Sequence, residues 1–543
     1  MTAARNLRLQ ISNTKYEILD LRYEIASIAS MRVELPDLYN AATTFVDENL
    51  SQGRGAKVAI YYQDQTITYQ EVFDNVNRTG NALKDLGVEI ENRVLVILPD
   101  SPVFAYSFFG AIKIGAVAVP TNPWMFAEDY EYLINDSRAR AIIVHESTLP
   151  EIEKIPGNTP FLKHVLVVGK PNGKSLSYEN LIAKASTKLE AEKTTKDDVC
   201  FWGYTSGSTG KPKGAVHLQH DMVTISDLFV KPVLGMNEND LCFSASKMFF
   251  SYGLGNSLYF PFRFGASTVL WPEKPDPEKI LEVIDKYKPT LFFSVPTLFA
   301  RLLRVEKQYD LSSLRICLSS GEPLPPAIFH QWKDRTGLEL LDVVGSTEAT
   351  HDFLANRPGR AKAGSSGEVT PAFEAKIVDD EGREVPVGEV GSLMVKGDAN
   401  APYYWNKHEQ TKRTMQGEWL KTGDTYYRDG AGYYWYCGRS DDMMKVGGLW
   451  VSPIEIENTL MEHPAVLESG VIGSTDADGL LKPKAFVLLK SEFKPSDQLC
   501  SELQNHVKSK LAPYKYPRWI EFVDDLPKTV TGKIQRFRLR NNN

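Results

Sequence analysis

Three glycines, four Ser/Thr hydroxyls and two lysines lie together in one short stretch near the middle of the chain. Residues 204–214 read Tyr-Thr-Ser-Gly-Ser-Thr-Gly-Lys-Pro-Lys-Gly and lie between two apolar runs. Glycine lets backbone N–H groups approach an anion closely, and the hydroxyls and lysines add donors and positive charge. The stretch predicts a loop that binds a polyphosphate. A flexible Gly/Ser linker is the alternative, but a defined Lys-Pro-Lys-Gly ending before an apolar strand is not typical of linkers.

The stretch differs from the phosphate loop of nucleotide-hydrolysing switches and motors. That loop needs a glycine, four further residues, Gly-Lys, and then Ser or Thr. Here Thr205 stands at the position of the first glycine, and Pro212 stands where the hydroxyl residue is required. We therefore predict a phosphate loop of another kind, in a hairpin-like turn between two strands.

A second motif, Asp342-Val-Val-Gly-Ser-Thr-Glu348, follows a run that is typical of a buried strand. Open α/β sheets bind ligands in the crevice at the carboxyl ends of their strands. A carboxylate there suits Mg²⁺, which binds to one or two acids together with substrate phosphates. Glu348 is therefore a candidate magnesium ligand, and a solvated loop acid is the alternative.

Two further motifs lie in the last quarter of the chain. Asp424 ends the motif Trp-Leu-Lys-Thr-Gly-Asp and precedes Arg439, and its carboxylate could accept hydrogen bonds from the two adjacent hydroxyls of a ribose. Lys533 follows a tight Thr-Gly turn, which would fix it on a small protruding loop. The alternatives are a turn acid beside a surface arginine, and an ordinary solvated lysine.

These motifs are separated by apolar strand patterns that alternate with helical patterns. The helical patterns predict one helix over Pro277 to Tyr287 and another over Ser107 to Ile114, where Gly115 stops it. Such alternation predicts parallel sheets covered by helices on both faces, in two blocks at about residues 60–200 and 215–355. After Glu368, short strands and Gly-rich turns predict a small β-rich subdomain. From Asp441 onward, the pattern predicts a compact mixed α/β tail.

The bulk properties are those of an ordinary multidomain globular protein. The chain has 543 residues, a net charge of −7 and five cysteines without metal-ligand spacing. The negative charge argues against a nucleic-acid partner. The scattered, odd-numbered cysteines indicate a reducing compartment, and no apolar run is long enough to span a membrane, so we expect a cytoplasmic protein.

The order of these motifs resembles that of the adenylate-forming superfamily, which includes acyl-CoA synthetases, peptide-synthetase adenylation domains and firefly luciferase. The most similar members are benzoate-CoA ligases, and the likeness covers about residues 35–540. It implies an enzyme that uses ATP and Mg²⁺ to activate a small aromatic carboxylate (benzoate or a hydroxy- or aminobenzoate) as an acyl-adenylate. The acyl group then passes to coenzyme A, with release of AMP and pyrophosphate.

The resemblance also implies a domain organisation. Residues 31–440 would form a large body with two sheet-and-helix subdomains and a small β-barrel-like subdomain. Residues 441–543 would form a small mobile α+β domain with its hinge at Asp441. Residues 1–30 have no counterpart in the superfamily, and we assign no chemistry to this N-terminal extension.

By resemblance, each motif residue receives a role. The catalytic residues would be Lys533, Thr205 and Glu348, with Glu348 also the metal ligand. The nucleotide would contact Thr205, Ser206, Gly207, Ser208, Thr209, Lys213, Gly321, Glu322, Pro323, Asp342, Gly345, Ser346, Thr347, Asp424 and Arg439. The carboxylate pocket would comprise Phe250, Ser251, Tyr252, Gly253, Ser320, His351 and Asp352. Coenzyme A would pass Lys445, Gly447 and Gly448.

Three positions depart from the pattern of the superfamily. Val344 stands where an aromatic residue often stacks on adenine, and Ser251 is more polar than the usual alanine. Benzoate ligases tend to have His-Ile-Phe where this chain has His351, Asp352 and Phe353. Because a buried aspartate needs a donor, we hypothesise that the substrate carries a hydroxyl or an amine.

Other functions stay open at this point. An adenylation enzyme that loads an aryl acid onto a carrier protein is one alternative, although no carrier domain is visible after Lys533. A non-catalytic nucleotide sensor is a second, and the presence of both Glu348 and Lys533 argues against it. Luciferase-like oxidation has only the fold in its favour. A homodimer is an open alternative to a monomer.

Overall fold

The computed structural model describes residues 32–205, 211–440, 442–446, 449–476, 480–528 and 534–541. Alternating β-strands and helices make up most of this part of the chain. The strands are β1 Val58–Tyr62, β2 Gln65–Thr68, β3 Arg93–Ile97, β4 Val117–Pro120, β5 Ala141–His145, β6 His164–Val168, β7 Leu176–Ser177, β8 Val199–Thr205, β9 Lys213–Leu218, β10 Leu241–Ser244, β11 Ser267–Leu270, β12 Leu291–Ser294, β13 Ile316–Ser319, β14 Leu340–Gly345, β15 Asp352–Ala355, β16 Glu368–Val369, β17 Glu374–Val378, β18 Gly391–Lys396, β19 Met415–Gln416, β20 Trp419–Arg428, β21 Tyr434–Arg439, β22 Met444–Val446, β23 Leu449–Val451, β24 Val466–Thr475, β25 Leu481–Leu489 and β26 Trp519–Phe522.

Most of the helices connect successive strands. The α-helices are Glu48–Ser51, Tyr69–Asp85, Pro102–Lys113, Ala127–Ser137, Leu149–Glu153, Tyr178–Lys184, Asp221–Ile225, Ser251–Leu254, Phe260–Phe264, Pro277–Tyr287, Pro296–Leu302, Pro326–Thr336, His408–Thr414, Pro453–Met461, Asp497–Lys510 and Arg536–Asn541. The π-helical segments are Thr43–Asp47, Ser226–Leu234 and Gly255–Tyr259, and the 3₁₀ helices are Thr347–Ala349 and Pro513–Lys515. Among the described residues, no helix is both long and apolar enough to cross a membrane.

Several helix ends follow from local capping chemistry. Thr68 begins the helix Tyr69–Asp85 with a capping box, in which its hydroxyl accepts from the backbone N–H of Glu71 and the Glu71 carboxylate accepts from the backbone N–H of Thr68. Asp276 caps the helix Pro277–Tyr287 and is followed by proline at the first helical position. These signals are local, so the predicted bounds of this helix are confirmed.

Two large sheets form the body. The first has the strand order β7-β6-β5-β3-β4-β8-β9 and is parallel except for the antiparallel pair β8 and β9. The second has the order β16-β15-β14-β13-β12-β10-β11-β1-β2 and is parallel from β14 to β1. Because parallel sheets need helices on both faces, inner strands such as β4, β12 and β13 are fully buried and largely apolar.

The predicted division into two consecutive blocks is wrong in detail. Strands β1 and β2, within or next to the first predicted block, belong to the second sheet, where Ile60 pairs with Thr268 of β11. Strand β9, expected near the start of the second block, completes the first sheet beside β8. An apolar strand pattern does not specify its partner, and here β1 finds a partner about two hundred residues away.

Smaller sheets follow the body. Strands β17 to β21 form a five-stranded antiparallel sheet, as the short strands after Glu368 predict. Strands β22 and β23 pair with each other, and β24, β25 and β26 form a three-stranded sheet packed with the helices Pro453–Met461 and Asp497–Lys510. The mixed α/β fold class is therefore confirmed.

Candidate functional site

The predicted phosphate loop connects two paired strands of the first sheet. Strands β8 and β9 are antiparallel, with Thr205 opposite Lys213 and Tyr204 opposite Gly214. The predicted hairpin is therefore confirmed. Four of the predicted nucleotide contacts lie outside the described residues: Ser206, Gly207, Ser208 and Thr209.

Two residues of one helix hold the two sides of this hairpin: the buried carboxylate of Asp136 contacts the β8 side, and Tyr132 contacts Pro212 on the other side. The Asp136 side chain, only 8% exposed, accepts a hydrogen bond from the Tyr204 hydroxyl at 2.9 Å and pairs with Lys407 Nζ at 2.8 Å. The neighbouring Tyr132 hydroxyl donates to the carbonyl oxygen of Pro212 at 2.8 Å. Burial and the Asp136 carboxylate raise the pKa of Tyr204, so this hydroxyl stays a donor. No motif in the sequence predicts this anchor.

Tyr404 contacts both Glu348 and the hairpin, and so places Glu348 next to the hairpin. The Tyr404 hydroxyl donates to Glu348 Oε1 at 2.6 Å, and Lys213 Nζ lies 4.4 Å from the centroid of the Tyr404 ring. Burial and the Glu348 carboxylate raise the pKa of Tyr404, which keeps its proton in place. The aromatic run around Tyr404 is the only sequence signal that could have indicated this contact.

The surroundings of Glu348 suit a metal that takes few protein ligands. In the described part of the chain, no group of three or more His, Cys, Asp or Glu side chains could hold a metal ion. Mg²⁺ binds through one or two carboxylates and completes its coordination with substrate phosphates and water. A single half-buried carboxylate beside a phosphate hairpin fits that requirement.

Three segments meet where the hairpin begins. A side-chain carbon added at Gly203 would lie 2.4 Å from Thr347 Cγ2 and 3.6 Å from Ser251 Oγ. The first distance is shorter than any real contact, so only glycine permits this approach. The strand before the phosphate loop therefore packs closely on the Thr347–Ala349 turn, and Ser251 lies nearby.

A buried histidine fixes the Thr347–Ala349 turn from behind. His217 Nε2 lies 2.8 Å from the carbonyl oxygen of Thr347, and Nδ1 lies 2.8 Å from Asp221 Oδ2. Thr350 follows the turn with φ of 63°, an uncommon conformation for a β-branched residue. Its hydroxyl donates to Ala399 O at 2.7 Å, which stabilises that conformation. Sequence reasoning missed His217 because its partner lies 130 positions away.

Polar residues end strands β13 and β14 side by side. Ser319 pairs with Asp342, and the next residues after β13 are Ser320, Gly321, Glu322 and Pro323. Thr297 donates from its hydroxyl to Glu322 Oε2 at 2.7 Å. Asp342 is 4% exposed, and its Oδ1 has no hydrogen-bond partner within the described chain. Burial, reinforced by the charge of Asp352, raises the pKa of Asp342.

The predicted ribose contacts face each other on two paired strands. Asp424 of β20 pairs with Arg439 of β21, and Arg439 Nη1 lies 3.0 Å from Asp424 Oδ1. Both side chains remain partly exposed, so this ion pair is accessible from solvent.

The predicted carboxylate pocket is brought together around His351. The His351 ring lies 5.4 Å from the Tyr252 ring and 4.6 Å from the Phe260 ring, and its Nε2 lies 3.3 Å from the carbonyl oxygen of Tyr252. Ser320 donates from Oγ to Asp352 Oδ1 at 3.2 Å. Phe250, the predicted aromatic gate, is 36% exposed at the start of the Ser251–Leu254 helix.

A buried ion pair that the sequence did not indicate supports this helix. Lys247 Nζ lies 3.7 Å from Asp100 Oδ2, and both residues are almost fully buried. A side-chain carbon at Gly253 would lie 2.1 Å from the carbonyl oxygen of Lys247, so the helix packs directly on this segment. The pair connects the end of β3 in one sheet to the end of β10 in the other.

Most of the predicted residues of the C-terminal region lie outside the described part of the chain. Asp441, Gly447, Gly448 and Lys533 lie outside the described residues, and Lys445 is described only through the backbone of β22. Lys528 and Ile534, the described residues on either side of positions 529–533, pair in an antiparallel bridge.

Comparison with known proteins agrees with this geometry. The AMP-binding enzyme family matches residues 47–405, and the AMP-binding enzyme C-terminal domain matches residues 455–533. The chain is 45% identical to benzoate–CoA ligase of Thauera aromatica, over 94% of this chain and 97% of that protein. It is 43% identical to 4-hydroxybenzoate–CoA/benzoate–CoA ligase of Rhodopseudomonas palustris, over 92% of this chain and 94% of that protein.

Solved structures give the same result. The crystal structure of the anthranilate CoA ligase AuaEII in complex with anthranoyl-AMP superposes with a TM-score of 0.90 and 46% identity, over 94% of this chain and 98% of that one. From its sequence matches and its fold, the chain belongs to the adenylate-forming family of AMP-binding enzymes and resembles the benzoate–CoA ligases within it.

Proposed function

We propose that the protein is an AMP-forming aryl-CoA ligase that works in two steps at one site. In the first step, a carboxylate oxygen of the aryl acid attacks the α-phosphorus of ATP, and pyrophosphate leaves. In the second, the sulfur of coenzyme A, after losing its proton, attacks the acyl carbon, and AMP leaves with the bridging oxygen. The observation that carries this proposal is the meeting of the phosphate hairpin, the Glu348 turn and the His351 segment at one edge of the body.

The nucleotide would lie across the carboxyl ends of β13 and β14. Thr205 and Lys213 contact the phosphates from the hairpin, with Gly345, Ser346 and Thr347 near the α-phosphate. Burial raises the pKa of Asp342 and so favours its neutral carboxyl. That carboxyl can accept a hydrogen bond from the adenine amino group without leaving a buried charge uncompensated. The segment Gly321, Glu322 and Pro323 borders the adenine, and Asp424 with Arg439 contacts the ribose.

Mg²⁺ would bind to Glu348 and to the phosphates of ATP. When bound, it neutralises phosphate charge during the displacement. Tyr404 orients the Glu348 carboxylate by donating to one of its oxygens. That arrangement leaves the second oxygen of the carboxylate available to the ion.

The carboxyl-terminal region would supply the remaining groups. Lys533 stabilises the charge that builds on the α-phosphate oxygens while the carboxylate attacks. Residues 441–543 then rotate about Asp441 and bring Lys445, Gly447 and Gly448 to the opening, where the glycines let the pantetheine arm of coenzyme A pass close to the backbone. The body would be residues 31–440.

A panel of carboxylic acids tests the proposed function. ATP-dependent pyrophosphate release is measured with benzoate, hydroxybenzoates, aminobenzoates, acetate and a fatty acid, with and without coenzyme A. We expect release with aryl acids, and thioester formation only when coenzyme A is present. If none of the aryl acids supports pyrophosphate release, the proposal is contradicted.

The acceptor is tested in the same assay. A phosphopantetheinylated aryl carrier protein replaces coenzyme A at equal concentration, and we expect the thioester to form faster with free coenzyme A. The cytoplasmic location belongs to the same proposal, and the free state of all five cysteine thiols supports it.

The Asp136 anchor gives a separate prediction for the affinity for ATP. Replacing Asp136 with alanine leaves Lys407 and the Tyr204 hydroxyl without their acceptor. We expect the KM for ATP to rise about fivefold to tenfold and the free energy of unfolding to fall by about 2–4 kcal/mol. The KM for the acid should change little. Steady-state kinetics and urea denaturation measure both effects.

The exposed Asp85, at the end of the helix Tyr69–Asp85, provides the matched control. Its replacement by alanine should leave both measurements within error. An Asp136→Ala variant with the stability and the KM of the parent would show that the anchor does not position the hairpin.

A further inference from the structure

One oxygen of a buried carboxylate next to the proposed acid site lacks a hydrogen-bond donor. Asp352 is 2% exposed at the start of β15, where its Cα pairs with that of Gly345. Its Oδ1 accepts from Ser320 Oγ at 3.2 Å, whereas Oδ2 has no hydrogen bond within the described chain. A buried carboxylate oxygen without a donor is costly, so such an atom indicates a missing partner.

His351 does not supply that donor. Its Nδ1 lies 2.9 Å from Asp352 Oδ2, but the two atoms are not oriented for a hydrogen bond. The other ring nitrogen, Nε2, lies 3.3 Å from the carbonyl oxygen of Tyr252, which can only accept. In the neutral ring the proton is therefore on Nε2, and Nδ1 has none to donate.

The neighbours place this oxygen at the acid site. Ser320 follows β13, and Tyr252 lies in the short Ser251–Leu254 helix beside the phosphate hairpin. The hydroxyl of buried Tyr259 also lacks a partner in the described part of the chain. Burial raises the pKa of both Tyr252 and Tyr259, and the charge of Asp352 makes a further, smaller contribution in the same direction. The Asp352 charge therefore acts on two neutral hydroxyls, and the Tyr252, Tyr259 and Phe260 rings all pack near the His351 ring.

We propose that Asp352 Oδ2 accepts a hydrogen bond from a hydroxyl or amino group on the aromatic ring of the acid. The enzyme then prefers hydroxybenzoates or aminobenzoates, and unsubstituted benzoate leaves the carboxylate unpaired. This inference rests on the proposed function and narrows its substrate class. A site built to meet a donor rejects an analogue without one, because its own polar group then stays unsatisfied.

The first test uses the unmodified enzyme. Values of kcat/KM for pyrophosphate release are compared for benzoate and for its hydroxy, amino and fluoro derivatives at each ring position. Fluorine is similar in size to a hydroxyl but donates no hydrogen bond. We expect a donor at one ring position to exceed both benzoate and the matching fluorobenzoate by about 10- to 100-fold.

The second test replaces Asp352 with asparagine, which keeps an oxygen for Ser320 but presents N–H groups in place of the second acceptor. The preferred acid should lose about 10- to 100-fold in kcat/KM, and benzoate should change less than about threefold. The exposed Asp380 provides the matched control, and Asp380→Asn should leave every acid unchanged. Melting temperature and the KM for ATP report whether the variant is folded.

Two results would overturn the inference. One is a parent enzyme whose kcat/KM for benzoate or a fluorobenzoate equals or exceeds that for every hydroxy and amino derivative. This comparison tests the inference even if the variant does not fold. The other is an equal loss for all acids in Asp352→Asn, which would mean a structural role. Absence of pyrophosphate release with every acid is a different outcome, because it contradicts the aryl-CoA ligase itself.

Discussion

Replacing Lys533 with alanine is expected to lower the rate of acyl-adenylate formation by at least about 100-fold. Negative charge builds on the α-phosphate oxygens as the carboxylate attacks, and a positioned ammonium group stabilises it only in that transition state. The KM for ATP should therefore change much less than kcat. Pyrophosphate release and binding of a non-hydrolysable ATP analogue measure the two quantities separately.

The second half-reaction provides an internal control. Lys533 acts only in adenylation in this account, so the variant should still convert chemically synthesised aryl-AMP to aryl-CoA at close to the parent rate. Lys494, an exposed lysine in the same region, provides the matched loss of charge, and Lys494→Ala should behave as the parent. If Lys533→Ala forms the adenylate at the parent rate, Lys533 is not the catalytic lysine of adenylation.

Replacing Glu348 with glutamine is expected to lower kcat for adenylation by about 100-fold at saturating ATP. The amide can still accept from Tyr404, so the local fold is kept, but the charged metal ligand is lost. The dependence on Mg²⁺ separates this role from a structural one. We expect the concentration of Mg²⁺ that gives half-maximal rate to rise about tenfold, because a neutral amide binds the ion more weakly.

Glu409 offers a matched control for this substitution. It is exposed in the helix His408–Thr414, a few residues after Tyr404, and Glu409→Gln should keep the parent magnesium dependence. A Glu348→Gln variant that is slow but shows an unchanged magnesium requirement would argue that Glu348 acts only through the turn that contains it.

Features with a local cause were predictable from the sequence. The phosphate hairpin could be recognised because its glycines, hydroxyls and lysines lie between two apolar runs, and β8 and β9 pair as expected. The helix Pro277–Tyr287 has the predicted bounds because Asp276 and the following proline define its start. By contrast, the helix Pro102–Lys113 begins five residues before the predicted start at Ser107, since its cap is Ser101.

Features that depend on distant partners were not predictable. Strand β1 follows the pattern of the first sheet but completes the second, because its partner β11 is far along the chain. In the sequence, Asp136 has the pattern of an ordinary helical acid, because its partners Tyr204 and Lys407 lie 68 and 271 positions away. Asp352 is the intermediate case: its departure from the superfamily pattern raised the question, and only the fold identified which of its oxygens lacks a donor.

Isotope transfer from the acid tests the two-step account most directly. The aryl acid is labelled with ¹⁸O at both carboxylate oxygens and incubated with ATP, Mg²⁺ and coenzyme A. The label in each product is then measured by mass spectrometry. If the carboxylate attacks the α-phosphorus, AMP acquires one ¹⁸O atom, the thioester keeps the other, and pyrophosphate stays unlabelled. Unlabelled AMP, or label in inorganic phosphate together with ADP, would contradict activation through an acyl-adenylate.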